Sequence, residues 1–390
     1  MRWASAHSLL SDAAAAAEEA SARITSTLGG SVDLAIAFLG ATHVARAEAI
    51  AQVLRRALSP GCLIGSSAHG VITREHEIES GPGLTVLAGS LPGVGVHPFI
   101  LDNGAWIESG SDPPEFSRLA PGAAKAELVM VMGDPFSLDT ERVLAAFNQN
   151  APQARVVGGM AGAGVKPGSN AMILNDWVAP EGGVAVALDG AIRVDVVVSQ
   201  GCRPVGPPLE VTRANANFLF ELDGQPALER AEQVLRGLGD KEQAYLKNGL
   251  YVGRPVHASA SGQGDYLIRN LLGADRDRGA LAIGDQAVER ERIRLHVRDA
   301  STAREDLELL LTPQAFDSRA EAALLFACNG RGHGLFGVPD ADVSTLQSAL
   351  GGNIPLAGMF CAGEIGPVGK RNFLHGHTAS IAIMRRGTVA

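Results

Sequence analysis

The last third of the chain holds the densest concentration of side chains able to do chemistry. An apolar run, Leu325-Phe326-Ala327, ends at Cys328 and hands over to Asn329-Gly330-Arg331-Gly332-His333-Gly334. A second segment, Gly358 to Gly363, runs into Glu364-Ile365-Gly366-Pro367, and a third reads Leu374-His375-Gly376-His377-Thr378. Arg331, flanked by Gly330 and Gly332, sits beside backbone that no Cβ shields, and its guanidinium can grip a carboxylate through two parallel hydrogen bonds. Glu364 supplies the opposite charge and either holds a ligand ammonium or pairs with Arg331, because a carboxylate withdrawn from water seldom goes unpaired. With Gly358, Gly363 and His375, these residues form the candidate ligand-binding set of the region. A covalent use of the same segments makes Cys328 a nucleophile, with His375 or His333 as its base, for acyl or amide transfer. The ordinary roles compete: a structural arginine bonding loop carbonyls, and a free cysteine acting as a small buried hydrophobe.

Three stretches share one form. Leu63-Ile64-Gly65-Ser66-Ser67-Ala68-His69-Gly70, Val156-Val157-Gly158-Gly159-Met160-Ala161-Gly162 and Leu356-Ala357-Gly358-Met359-Phe360-Cys361-Ala362-Gly363 are each a short apolar strand running into glycines. A glycine there lets a ligand or another backbone approach closely, which adds Gly65, Ser66, Ser67, Gly158 and Gly159 to the candidate binding set and suggests duplicated architecture. Ser66, Ser67 and His69 do not make the G-x-S-x-G nucleophile turn. The glycines from Gly158 to Gly164 lack the following helix that a dinucleotide fingerprint needs, so no cofactor is indicated. His375 and His377 alternate on an extended segment and face opposite ways, and no spacing completes a metal site.

The elements that position these residues alternate in character. The alanine-rich pattern of Ser8 to Leu28 predicts a helix stopped by Gly29-Gly30, Asp33 to Leu39 a buried strand, and Ala45 to Ala57 a second helix. Strands are predicted at Leu84 to Ala88, Val94 to Ile100, Leu128 to Met132 and Ala154 to Val157. Gly183 to Leu188 and Ile192 to Ser199 flank an Asp189-Gly190 hairpin turn. The cluster Pro204, Gly206, Pro207, Pro208 marks the expected boundary between halves. Beyond it, strands near Leu267 to Leu272, Ile293 to Val297, Ala322 to Ala327, Pro355 to Met359 and Ala379 to Met384 accompany helices at Ala303 to Leu311 and Ser344 to Leu350. The fold class is mixed α/β (α+β): two related halves with mixed, largely antiparallel sheets covered by helices, an arrangement that admits αββα-like layering.

Whole-chain properties narrow the partners. The 390 residues are 46% hydrophobic and 19% charged, the profile of a folded globular protein with a substantial core. A net charge of −9 repels phosphate backbones and anionic headgroups, so neither nucleic acid nor a membrane surface is an expected partner. Cys62, Cys202, Cys328 and Cys361 form neither a C-x-x-C clamp nor a disulfide framework, which suits a reducing compartment. With no signal-like N-terminus and no long uncharged apolar run, the expected location is the cytoplasm.

The combined C-terminal set resembles the FIST family. That family's C-terminal part carries C-x-G-R-G, then G-x-x-x-x-G-E-I-x-P, then L-H-x-x-T; here these occur in order at Cys328 to Gly332, Gly358 to Pro367 and Leu374 to Thr378. The turns at Gly65 to Gly70 and Val156 to Gly159, with the Gly182 to Leu188 segment, resemble its N-terminal part. The resemblance implies an N-terminal domain over 1–205, a C-terminal domain over 206–390, and a bacterial sensory role in signal transduction. It implies a small ligand, an amino acid or related metabolite, in preference to an enzyme. Neither end leaves room for an attached output domain, so the expected output runs through a separate downstream signalling protein, with a protein-interaction scaffold as the third reading.

Overall fold

The structure, a computed structural model, describes residues 1–256 and 266–387 and divides into two compact units. The first takes Met1–Val198, Leu307–Leu374 and the C-terminal strand from Thr378; the second takes Ser199–Asp306 with His375–His377.

The first unit repeats one sheet plan three times. At the centre of each six-stranded sheet lies a parallel pair: Leu34–Gly40 with Cys62–Ala68, Leu128–Gly133 with Arg155–Met160, and Ala322–Cys328 with Leu356–Cys361. Antiparallel beside the first member of each pair runs Leu84–Ser90, Gly183–Gly190 or Thr378–Arg386, with Arg2–Ser8, Val94–Leu101 or Ile192–Gln200 outside it. Beside the second member lies a short hairpin drawn from another sheet's part of the chain. Val71–Ile72 and Glu77–Ile78 follow Cys62–Ala68 yet join the third sheet. Met172–Leu174 and Trp177–Ala179 follow Arg155–Met160 yet join the first, and Glu364–Val368 and Arg371–His375 follow Leu356–Cys361 yet join the second. The exchange is cyclic and ties the three sheets together.

The inner faces share one apolar cluster that includes Leu34, Ile36 and Phe38 from the first sheet, Met130 and Val186 from the second, and Leu324, Phe326 and Met359 from the third. The outer faces are covered by helices. Ala13–Leu28 starts on its Asp12 cap, stops at left-handed Gly29, and with Ala47–Leu58 buries Ala16, Ala20, Ile24, Ile50 and Leu54 on the first sheet. Helices Asn103–Ser109, Pro113–Leu119 and Thr140–Asn150 cover the second sheet, stacking Trp106 on Phe147. Ala300–Leu311 and Ala341–Ala349 cover the third.

The mixed α+β class and largely antiparallel sheets agree with the sequence, and the duplicated glycine turns sit one per sheet. The repeated body occurs three times instead of twice. Each sheet meets a common interior where αββα-like layering would pair them. The first helix begins at Ala13, and Arg2–Ser8 before it is an edge strand.

The second unit is a ring of antiparallel strands. Cys202–Asn215 pairs with Arg292–Arg298 on one side and Phe218–Leu222 on the other, and Leu250–Pro255, Tyr266–Asp275 and Ala280–Ile283 complete the circuit. Val205, Leu209, Val252, Leu295 and Val297 point inward with Ala231 and Val234 of helix Ala227–Arg236. The Pro204–Pro208 cluster, expected at a boundary, lies inside a strand, where the register breaks between Val205 and Leu209. A bulge is where a strand tolerates proline, since no ladder donor is needed there.

Candidate functional site

Two of the three C-terminal motif segments end side by side in the third sheet. Cys328 closes its strand opposite Cys361 on the parallel neighbour, and the Asn329 N–H donates to the Cys361 carbonyl at 2.9 Å. The Arg331 N–H turns back onto the Cys328 carbonyl at 2.8 Å, which drives its side chain inward until only 1% of the residue is exposed.

A buried guanidinium needs a counter-charge, and here it is Asp342. Arg331 Nε and Nη2 donate to its two carboxylate oxygens at 2.6 and 2.7 Å, and the Phe336 ring lies 5.3 Å from the guanidinium carbon. Burial opposes the charge on Arg331, but Asp342 outweighs it and raises the pKa, with smaller contributions from Cys328 and Glu364. Arg331 Nη1 is buried and meets no partner among the described residues. Asp342 was not among the sequence candidates; the only signal was its place in the first turn of a helix eleven residues on.

Glu364, fully buried, opens the hairpin that crosses into the second sheet and stands opposite Gly159. Its Oε2 accepts from the Thr378 N–H at 3.0 Å and the Thr378 hydroxyl at 2.9 Å, so the L-H-x-x-T segment supplies two of its bonds. The motif thus brings Cys328, Arg331, Cys361 and Glu364 into one buried region. His375 falls with the second unit and Cys328 with the first. Burial pushes the Cys62 thiol up to about 12 and raises Cys361 well above the ordinary range, the latter aided by Glu364, so neither is a ready nucleophile.

The repeated glycines answer a packing demand. Gly65, Gly158 and Gly358 occupy one register position in the three parallel pairs, opposite Ala37, Val131 and Leu325. A Cβ on them would lie 2.5, 1.7 and 2.2 Å from those residues' carbonyl oxygens. Gly159 accommodates Cys361 Sγ, Gly332 accommodates the Glu79 carboxylate, and the Gly363 carbonyl accepts from the Met160 N–H. Gly330 is half-buried in the turn between Cys328 and Arg331.

Ser66 and Ser67 are fully buried. Ser66 Oγ donates to the Ser67 carbonyl at 2.9 Å; Ser67 Oγ accepts from the Ala171 N–H at 2.9 Å and donates to Asn170 Oδ1 at 3.3 Å. Asn170 continues to Asp134 at 2.8 Å. This chain of polar groups fastens the incoming Met172–Leu174 hairpin, and among the described residues no histidine engages either hydroxyl.

A cleft of about 340 Å³ lined by Arg74, Glu75, Ser344 and Gln347 and another of about 420 Å³ lined by Asp33, Cys62, Leu91 and Val94 open on the first unit. Neither is lined by Arg331 or Glu364. Among the described residues no helix is long and apolar enough to cross a membrane.

Residues 33–225 match the FIST N domain and residues 227–367 the FIST C domain. The chain is 38% identical over 381 residues, 95% of its length and 96% of theirs, to uncharacterized proteins of Mycobacterium bovis and Mycobacterium tuberculosis. Among solved structures, a cyanuric acid hydrolase from A. caulinodans aligns over 99% of this chain and 100% of its own, at 8% identity and a TM-score of 0.37, a likeness too distant to carry an argument.

Proposed function

This chain belongs to the FIST family, whose domains are linked to sensory signal transduction, and on that premise we propose that it binds a small amphoteric metabolite and signals its presence to a downstream protein. Arg331 Nη1 carries the reading. It is a charged donor held in place by its ion pair with Asp342, withdrawn from water, and left with no protein acceptor among the described residues. Such a group favours an acceptor brought by a ligand. A ligand carboxylate takes the Nη1 donors, on the side of the guanidinium away from the Nε/Nη2 edge that holds Asp342. Its ammonium is placed toward Glu364, within the field that reaches Arg331.

Thermal-shift and calorimetric titration with amino acids and dicarboxylates tests this. The expected outcome is a saturable rise in melting temperature that survives Cys328→Ala and is lost in Arg331→Lys, which keeps the charge but lacks Nη1. A flat response across both classes, or binding unchanged in Arg331→Lys, would refute it.

A further inference from the structure

On the outer face of the second unit's ring, three neighbouring strands set a row of side chains. Asn270 stands opposite Tyr251, and Tyr251 opposite His296. Two residues past His296, and so on the same face, is Arg298, opposite Cys202. The turn at Gly376-His377 lies on this row. The His377 ring centroid is 4.3 Å from that of Tyr251, its Nε2 is 2.9 Å from Asn270 Oδ1, and its carbonyl accepts from the Gly201 N–H at 2.9 Å.

What distinguishes this face is the hydrogen-bonding capacity left over. Arg298 Nε and Nη2 are both buried and meet no partner among the described residues. These two nitrogens form the guanidinium edge with parallel N–H bonds, the edge through which Arg331 holds Asp342. His377 Nδ1 and His296 Nε2 are likewise buried without a partner among the described residues. Burial lowers both imidazole pKa values to about 4, with the charge of Arg298 adding to the effect on His377. The other nitrogen of each ring is engaged, with Asn270 Oδ1 and with the Arg294 carbonyl at 3.0 Å. A neutral imidazole that donates through one nitrogen accepts through the other. The face therefore presents two donors on one flat edge and ring acceptors beside it.

We propose that this face binds a small carboxylate bearing an adjacent hydrogen-bond donor, with the carboxylate on the Nε/Nη2 edge of Arg298 and the donor on His377 Nδ1. Hydroxy- and amino-carboxylates have that pattern; sulfate lacks the donor, and amides lack the planar charge. The site uses neither Arg331 nor Glu364 and stands independently of the reading above.

Calorimetric titration of the full chain with L-lactate, propionate and L-lactamide separates the two requirements. Lactate should bind, propionate about tenfold more weakly, and lactamide not measurably. Arg298→Gln should weaken lactate about ten- to a hundredfold, and Arg298→Lys, which keeps charge but loses the fork, should weaken it too, with circular dichroism confirming the fold. The proposal is overturned if lactate gives no heat into the millimolar range, if lactamide or sulfate binds as tightly as lactate, or if Arg298→Gln leaves affinity unchanged. Loss of lactate binding in Arg331→Lys but not in Arg298→Gln would place the carboxylate in the first unit, sinking this site and sparing the family-based reading.

Discussion

Arg331 shows why a motif residue's chemistry depends on its depth. In the sequence it is a guanidinium between two glycines; in the fold it is an ion withdrawn from water, and the nearest carboxylate decides what remains of it. Its pair with Asp342 has both side chains essentially unexposed, so removing either partner strands a buried charge. Arg331→Ala or Asp342→Ala should each cost about 3–5 kcal/mol in urea unfolding, whereas the double replacement Arg331→Met with Asp342→Leu should cost much less than either alone. Equal losses for single and double variants would contradict the assignment of the pair as a closed unit. The residue types that drew attention to the motif were legible; Asp342 was not, because an aspartate in the first turn of a helix is ordinary as a helix-dipole partner.

At the scale of elements, the glycine turns and the exchanged hairpins are one device. A parallel pair normally separates its strands enough for a Cβ, but here Gly65, Gly158 and Gly358 let the neighbouring carbonyl occupy that space. Alanine at any of the three must push a strand aside, and at Gly158 it also meets a φ of +151°. Each should destabilise the chain by about 2–3 kcal/mol or more, while Gly334→Ala, exposed and with nothing within 4 Å of the new Cβ, should be neutral or slightly stabilising. Near-neutral replacement at Gly65 or Gly358 would overturn the packing account. The sequence displayed these glycines as a repeat; whether the close partner was a ligand or a strand could not be read there, since both demand the missing Cβ.

Across the whole molecule, the Glu77 hairpin of the first unit and the histidine-bearing strands of the second respond to pH in opposite directions. In the first unit, burial and then the Asp342 carboxylate push Glu77 up to about 7 from 4.5. The folded state then holds a proton that the unfolded chain releases, so this group's stabilisation is complete below about pH 4.5 and is lost as pH rises to about 7. In the second unit, His296 and His377 titrate near 4 in place of 6.5, so stability present above pH 6.5 is lost as pH falls toward 4. Each shift corresponds to at most about 3 kcal/mol. Hydrogen exchange, corrected for intrinsic rates, should show Leu250–Pro255 and Arg292–Arg298 losing protection between pH 7.5 and pH 5 while Val71–Ile78 gains it. Glu77→Gln, which keeps the acceptor for the Val343 N–H, should remove the pH response of that hairpin alone. Parallel changes in these two segments would refute the assignment.

The sequence by itself determined the first two helices and the longer strands of the first unit other than Arg2–Ser8, because their apolar runs and turns are local statements of hydrogen bonding and burial. Leu34–Gly40, Leu128–Gly133 and the Asp189-Gly190 hairpin stand close to where the residues predict them. It also determined family membership, since the spacing of Cys328, Arg331, Glu364 and His375 survives without any knowledge of contacts. Only the tertiary structure decided that there are three sheets, which hairpin joins which sheet, and that Asp342 closes on Arg331. These depend on pairings between residues far apart in the chain, and the hairpins exchanged between sheets leave no local trace. The same holds for Arg298 and His377: alternation along a strand can place a side chain on a face, but only the register of the strands beside it tells what stands opposite.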